Sequence, residues 1–312
     1  MRELILTRHN DLVDPLVHVW SWEIPVYLFL GGWVAGMMII NGYFLLRGRH
    51  REDLCVCSVL PGLGIVLLSL GMLALFLDLE HKLYVWRLYT AFEIASPMSW
   101  GAWILLLVYP ALVGAALVRI PPLLRRLWPS LGRLADGVSA RPRTVRAIGF
   151  ANVGMGVLLG TYTGVLLSGL GARPLWGSAL LGPLFLLSGL SSAAAFTHLV
   201  ARHAEERVLL AKSDNVFLLV ELFLIALFLV GLLSASQAHI QAARLLLGGP
   251  YTAEFWVLVV GLGIVVPLLV QSLAVTHRIR HTALAPVLVL CGGLALRFVI
   301  VYAGQFSHWA GL

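Results

Sequence analysis

Charge is what this chain of 312 residues has least of: 12% are Asp, Glu, Lys or Arg, against 60% hydrophobic, with a mean hydropathy of +0.91. A soluble domain usually carries about twice that charged fraction, and none is left over once the apolar runs are removed. Cysteine is nearly absent. Cys55 and Cys57 sit two apart, which is neither a CxxC nor half of a zinc site. Cys291 lies in an apolar run, where a small buried thiol is the ordinary reading. A cluster takes about four thiolates, so no iron–sulfur centre is expected. Of the ten histidines only His198 falls well inside an apolar run, and a b-type haem usually takes an axial pair. No haem is expected either. Residues 1–22 contain Arg2, Glu3, Arg8, Asp11 and Asp14 and no continuous apolar core of a cleaved signal peptide. Insertion is expected to rely on the first span.

What the sequence has is long apolar runs, each about the 20 residues that an ~30 Å hydrocarbon core requires. They fall near 24–46, 54–77, 98–118, 147–168, 176–201, 215–235, 253–275 and 283–305, which predicts an all-α integral membrane protein of about eight transmembrane helices. The formal charge of +7 and isoelectric point near 9.7 would suggest nucleic acid in a soluble protein. Here the basic residues lie between spans and read as topology, with the lipid bilayer and no nucleic acid as partner. Arg47, Arg49, Arg51, Arg119, Arg125, Arg126, Arg133, Arg141, Arg143, Arg146, Arg202, Arg207, Lys212, Arg278 and Arg280 share one side. Arg2, Arg8, Lys82, Arg87, Arg173 and Arg244 are on the other. The positive-inside rule makes the first side cytoplasmic and puts both termini outside, in a multi-pass protein of the bacterial inner membrane.

Trp20, Trp22, Tyr84, Trp86, Trp176 and Trp309 lie at the outer span ends, where interfacial anchoring is the simplest account. Gly32 and Gly36, and Gly156, Gly160 and Gly164, recur every four residues, a spacing that lets helices approach closely. Pro25-Val-Tyr-Leu-Phe-Leu-Gly-Gly32 has a faint echo in Pro183-Leu-Phe-Leu-Leu-Ser-Gly189. Both open spans running inward, as two duplicated four-helix bundles would, residues 1–175 and 176–312.

Ionisable groups inside a bilayer carry most information, because each costs about 2.5–3.5 kcal/mol at mid-depth. An outer set comprises Glu23, Asp78, Glu80, His81, Tyr162 and Arg173. An inner set, Asn41, Asn152, His198, Glu221 and Gln271, comes from five spans and is expected at one level, with Asp214 and Lys212 at the inner mouth of the sixth. Arg297 stands alone, deep in the eighth. Helix-end hydration accounts for the outer set and interhelical hydrogen bonding for the inner as readily as function does. On the functional side, a phenol and carboxylates suit quinol chemistry. The inner set suits a proton path from Asp214 and Glu221, past Asn152 and His198, toward Arg297.

Three further segments carry a family likeness. Trp22-Glu-Ile-Pro-Val-Tyr-Leu-Phe-Leu-Gly-Gly32 with Ala35-Gly36, Asp78-Leu-Glu-His81, and Ser96-Pro-Met-Ser-Trp-Gly-Ala-Trp103 resemble the NrfD/PsrC family of membrane subunits. The likeness continues in Tyr162-Thr-Gly164, Arg173-Pro-Leu-Trp176, and Arg297 followed by Ala303-Gly-Gln305. It implies a haem-free, eight-helix anchor subunit of a respiratory oxidoreductase that binds menaquinone or ubiquinone near the outer face. The implied partners are a ferredoxin-like iron–sulfur subunit and a molybdopterin or multihaem catalytic subunit. The resemblance makes Tyr162 the donor to a quinone carbonyl and Glu80, with Asp78, the acid beside it. It adds Tyr27, where relatives have histidine, and Glu23, near a family asparagine, with His81 and Arg173, to the quinone set. A secondary transporter or a purely structural anchor are the competing readings, although a transporter favours inverted repeats and the echo here is parallel.

Overall fold

Proline and charge set where each helix begins. In the computed structural model, which describes residues 20–51, 55–90, 92–94, 96–169, 171, 173–201, 203–275 and 282–307, eight helices are long and apolar enough to cross a membrane. They are α1 (Glu23–Leu46), α2 (Leu60–Asp78), α3 (Pro97–Val118), α4 (Pro142–Ser168), α5 (Leu181–Val200), α6 (Ala204–Ser234), α7 (Glu254–Val275) and α8 (Leu284–Phe306). Among the described residues there is no strand. The protein is an all-α integral membrane protein. Arg2, Arg8, Arg202, Arg278, Arg280, Trp309 and both termini lie outside the described residues.

Pro61, Pro97 and Pro142 occupy the first turns of α2, α3 and α4, where a missing N–H costs nothing. That is why α2 starts at Leu60 rather than at 54, after a short turn over Val56–Ser58. The largest departure is α6, which begins about three turns before the expected 215. Glu205 and Glu206 lie in its first turn, where acids favour the positive end of the helix dipole. The first half of α7, Glu254–Val265, is wound as a π-helix, and apolar composition alone does not distinguish that from an α-helix.

Helix α1 is central, packing on α2, α4, α5 and α8; α5 in turn meets α4, α6 and α8, and α7 lies against α6 and α8. Glycine makes these contacts possible. A methyl on Gly189 of α5 would overlap the Gly32 carbonyl of α1, and one on Gly36 would overlap the Gly189 carbonyl. The two echoing segments therefore pack on each other. Likewise a methyl on Gly156 would stand 2.7 Å from the Ala35 carbonyl oxygen.

Two anchoring and burial expectations are overturned. Trp176 is buried, not interfacial, because its indole Nε1 donates to the Ile300 carbonyl at 2.9 Å and its ring lies 5.1 Å from that of Trp20. Cys291 is exposed on the outer surface of α8 rather than buried.

Candidate functional site

The motif at the start of α3 builds one wall of a site on the arginine-poor side. Ser99 Oγ accepts the Glu93 backbone N–H at 3.0 Å, and Trp100 Nε1 donates to the Ile94 carbonyl at 2.8 Å. Both side chains tie the preceding segment to the helix. Gly101 follows, and the ring of Tyr162 from α4 occupies the space where its side chain would be. Tyr162 is 7% exposed and Tyr27 of α1 is 2% exposed. The two phenols, with Tyr89, are close enough to interact electrostatically. Among the described residues neither the Tyr27 nor the Tyr162 hydroxyl has a hydrogen-bond partner. Burial also pushes the Tyr89 phenol above its ordinary value, so it stays a donor at neutral pH.

The carboxylates divide. Glu23 at the start of α1 and Asp78 at the end of α2 are close enough to interact. Glu23 is half-buried, and its Oε2 atom is enclosed without a hydrogen-bond partner. Glu80 is exposed, as is His81, so the expected acid beside Tyr162 is a surface group; the backbone turns outward after α2 ends at Asp78. His81 instead lines a cavity of about 330 Å³ with Tyr84, Arg87, Glu93, Met98 and Ser99. Ser99 thus faces that cavity two residues before the glycine that Tyr162 covers. Arg173 is also buried, but its Nη1 donates to the Ser307 carbonyl at 2.9 Å, which anchors the segment before α5 to the end of α8.

A second polar system runs through the other helices. Asp214 is not at a mouth: with α6 starting at Ala204 it is enclosed, 1% exposed. Ser191 donates to its Oδ1 at 2.5 Å and Gln271 to its Oδ2 at 2.6 Å. Glu221, two turns further along the same buried face of α6, lies within hydrogen-bonding reach of Ser188 and near Arg297. Arg297 donates to Ser188 Oγ at 2.5 Å, to the Phe185 carbonyl at 2.8 Å and to the Gly293 carbonyl at 3.3 Å, and stacks over the Phe185 ring. The single level expected for the inner set does not hold. Glu221 is 17 residues into α6, about 26 Å from Ala204 at 1.5 Å per residue, whereas His198 is buried in the last turn of α5 and Asn41 near the end of α1. Asn152 donates to the Ala111 and Ile148 carbonyls, both at 2.9 Å, and ties α4 to α3.

The comparisons with known proteins match this architecture along nearly its whole length. The family model for polysulphide reductase, NrfD, matches residues 7–308. The chain belongs to that NrfD family. Protein NrfD of Escherichia coli (strain K12) is 31% identical over 311 residues, covering 93% of this sequence and 96% of that protein. The C subunit of polysulfide reductase from Wolinella succinogenes is 30% identical over 303 residues, covering 92% of this sequence and 94% of its own length. The NrfD homolog of Haemophilus influenzae is 29% identical over 307 residues, covering 93% of this sequence and 95% of its own.

Within this NrfD-family protein several motif residues turn out to be fasteners. Trp176 covers Gly304, where any side chain would collide with the indole, and Gln305 bonds the Trp20 backbone through both ends of its amide, at 3.1 and 2.9 Å. Three participants were not singled out from sequence: Ser188, Ser191 and Tyr89. The serines carried a signal, since Ser188, Ser191 and Ser192 recur at the i, i+3, i+4 spacing of one helical face. Tyr89 gave none, being one tyrosine of a short helix, Arg87–Thr90, in a segment rich in aromatics.

Proposed function

We propose that this membrane subunit exchanges electrons between a membrane quinone pool, menaquinone or ubiquinone, and a ferredoxin-like iron–sulfur subunit docked on its arginine-poor, periplasmic side. That subunit would connect it to a molybdopterin or multihaem catalytic subunit, as befits a relative named for polysulfide reductase. The reading rests on one observation above others: two buried phenols from α1 and α4, close enough to interact, with Tyr27 one helical turn from Glu23, which in turn lies near Asp78. A phenol O–H is a donor at neutral pH, which suits a ligand bearing carbonyl oxygens.

In this scheme Tyr162 and Tyr27 donate to the oxygens of the quinone head group and set its orientation. Glu23, whose Oε2 is enclosed with no partner among the described residues, would accept one proton of the quinol and Asp78 the other as two electrons leave, and exposed Glu80 and His81 would pass both protons to water. Electrons leave to the partner at the same face, and the reverse sequence serves quinone reduction. Residues 1–175 then hold the quinone chemistry. Residues 176–312 hold the polar ladder Gln271–Asp214–Ser191 and Ser188–Glu221–Arg297, a proton path from the arginine-rich, cytoplasmic side.

Tyr162→Phe in the assembled complex tests the site. Quinol turnover should fall about tenfold or more, on the order of one lost hydrogen bond to a reacting group, with expression retained. Wild-type turnover and unchanged inhibitor affinity in both Tyr162→Phe and Tyr27→Phe would remove the quinone reading and leave a structural anchor or a transporter.

A further inference from the structure

The phenol on which the proposed chemistry turns is held by a residue with no side chain. We propose that Gly101 is a positioning residue whose missing side chain is the seat of the Tyr162 ring, and that the motif around it exists to keep that seat in place. The consequence for quinone binding rests on the function proposed above; the seat itself does not.

A methyl on Gly101 would coincide with the Tyr162 hydroxyl and with the ring carbons Cζ and Cε1. The phenol end of the ring therefore lies directly on the α3 backbone. Both helices are packed closely against their neighbours at this level. On the α4 side, Thr163 Oγ1 bonds the Gly160 carbonyl at 2.7 Å, Gly160 would press on Leu186 at 2.6 Å if it carried a methyl, and Gly164 abuts the Leu181 backbone of α5. On the α3 side, Ser99 and Trp100 fasten the first turn to the loop before it, and a methyl on Gly169 would lie 2.8 Å from Pro97. The ring is the one part free to move. A side chain at 101 must swing the phenol out of its position.

Alanine is the diagnostic replacement, because it favours an α-helix over glycine by about 1 kcal/mol. Gly101→Ala should strengthen α3 as a helix, so a loss points to the displaced ring. Gly154, on the same helix as Tyr162, has open space where a Cβ would go, and Gly154→Ala is the control.

The full-length protein in lipid nanodiscs is labelled with 3-fluorotyrosine at position 162 and read by its fluorine resonance. Binding of 2-heptyl-4-hydroxyquinoline N-oxide, a quinol-site probe, is measured on the unlabelled variants. Gly101→Ala should shift the resonance and weaken probe binding about tenfold, as Tyr162→Phe should. The double variant should bind no more weakly than Tyr162→Phe within about twofold, since both act through one group. Gly154→Ala should match wild type in both readouts. An unmoved resonance in Gly101→Ala, or losses that multiply in the double variant, overturns the seat. A shifted resonance with probe binding equal in all variants upholds the seat and removes the quinone reading.

Discussion

Arg297 offers the sharpest energetic test of the buried polar ladder. Its guanidinium is 1% exposed in the middle of α8 and donates to Ser188 Oγ, the Phe185 carbonyl and the Gly293 carbonyl, with Glu221 nearby. Replacing it by methionine keeps much of the volume and removes those bonds. The Ser188 hydroxyl and the Phe185 and Gly293 carbonyls then lose a charged donor and Glu221 its nearby cation, and each lost hydrogen bond to a charged group is worth about 1.5–3 kcal/mol. Against a typical stability of about 5–15 kcal/mol, Arg297→Met should be severely impaired. Glu221→Gln leaves Arg297 with Ser188 and two carbonyls, so it should cost only about 1–2 kcal/mol. In the double variant the stranded charge is gone as well. It should be no less stable than Arg297→Met and should regain about 1.5 kcal/mol or more over the sum of the single losses. Unfolding by titration with dodecyl sulfate in lipid bicelles, followed by tryptophan fluorescence, gives the required free energies. Strict additivity would mean that the two groups do not share a network. Full stability of Arg297→Met would mean that the guanidinium carries no structural weight.

Two further outcomes follow from topology and from the ladder. In a background without native cysteines, Leu83→Cys (88% exposed at wild type) should react with a membrane-impermeant maleimide on intact cells, and Leu127→Cys (63% exposed) only after permeabilisation; the reverse pattern would invert the orientation and move the phenol site inside. With the complex reconstituted in liposomes, Glu221→Gln should lower the membrane potential formed per quinone turned over by at least about half, and equal potential and turnover would make Glu221 a packing residue.

The number of spans was legible in the sequence because a bilayer restricts the choices: apolar length decides most of it. The start of α6 was not. Residues 204–214 carry Glu205, Glu206, Arg207, Lys212 and Asp214, which lowers local hydropathy without breaking the helix, so hydropathy measures the hydrocarbon span and not the helix. Asp214 was misplaced for the same reason. Tyr162 and Tyr27 were legible as residues, but their unbonded hydroxyls and shared burial were not, since tertiary packing decides both. Glu80 illustrates the converse. A carboxylate two residues past Asp78 in sequence sits on the other side of a helix end, and that turn carries it to the surface. Gly101 was read as part of a motif, whereas its purpose lies in a ring from another helix.

Helix α1 joins the two polar systems. Tyr27 is on its outer part, and at Gly32, five residues or about 7.5 Å further along the axis, a methyl would stand 3.2 Å from the Arg297 guanidinium. Gly32, whose backbone Gly189 of α5 abuts, therefore also lets the buried cation approach the helix that bears a phenol of the proposed quinone site. In a medium of low dielectric, unit charges at such separations interact far more strongly than in water. A negative charge created near Tyr27 is felt by Arg297 and, through Ser188, by Glu221. A methyl at position 32 would press on the guanidinium while meeting α5 at ordinary contact, 3.8 Å from the Phe185 carbonyl oxygen. A charge in the proposed quinone site would therefore act on the buried guanidinium with only α1 between them.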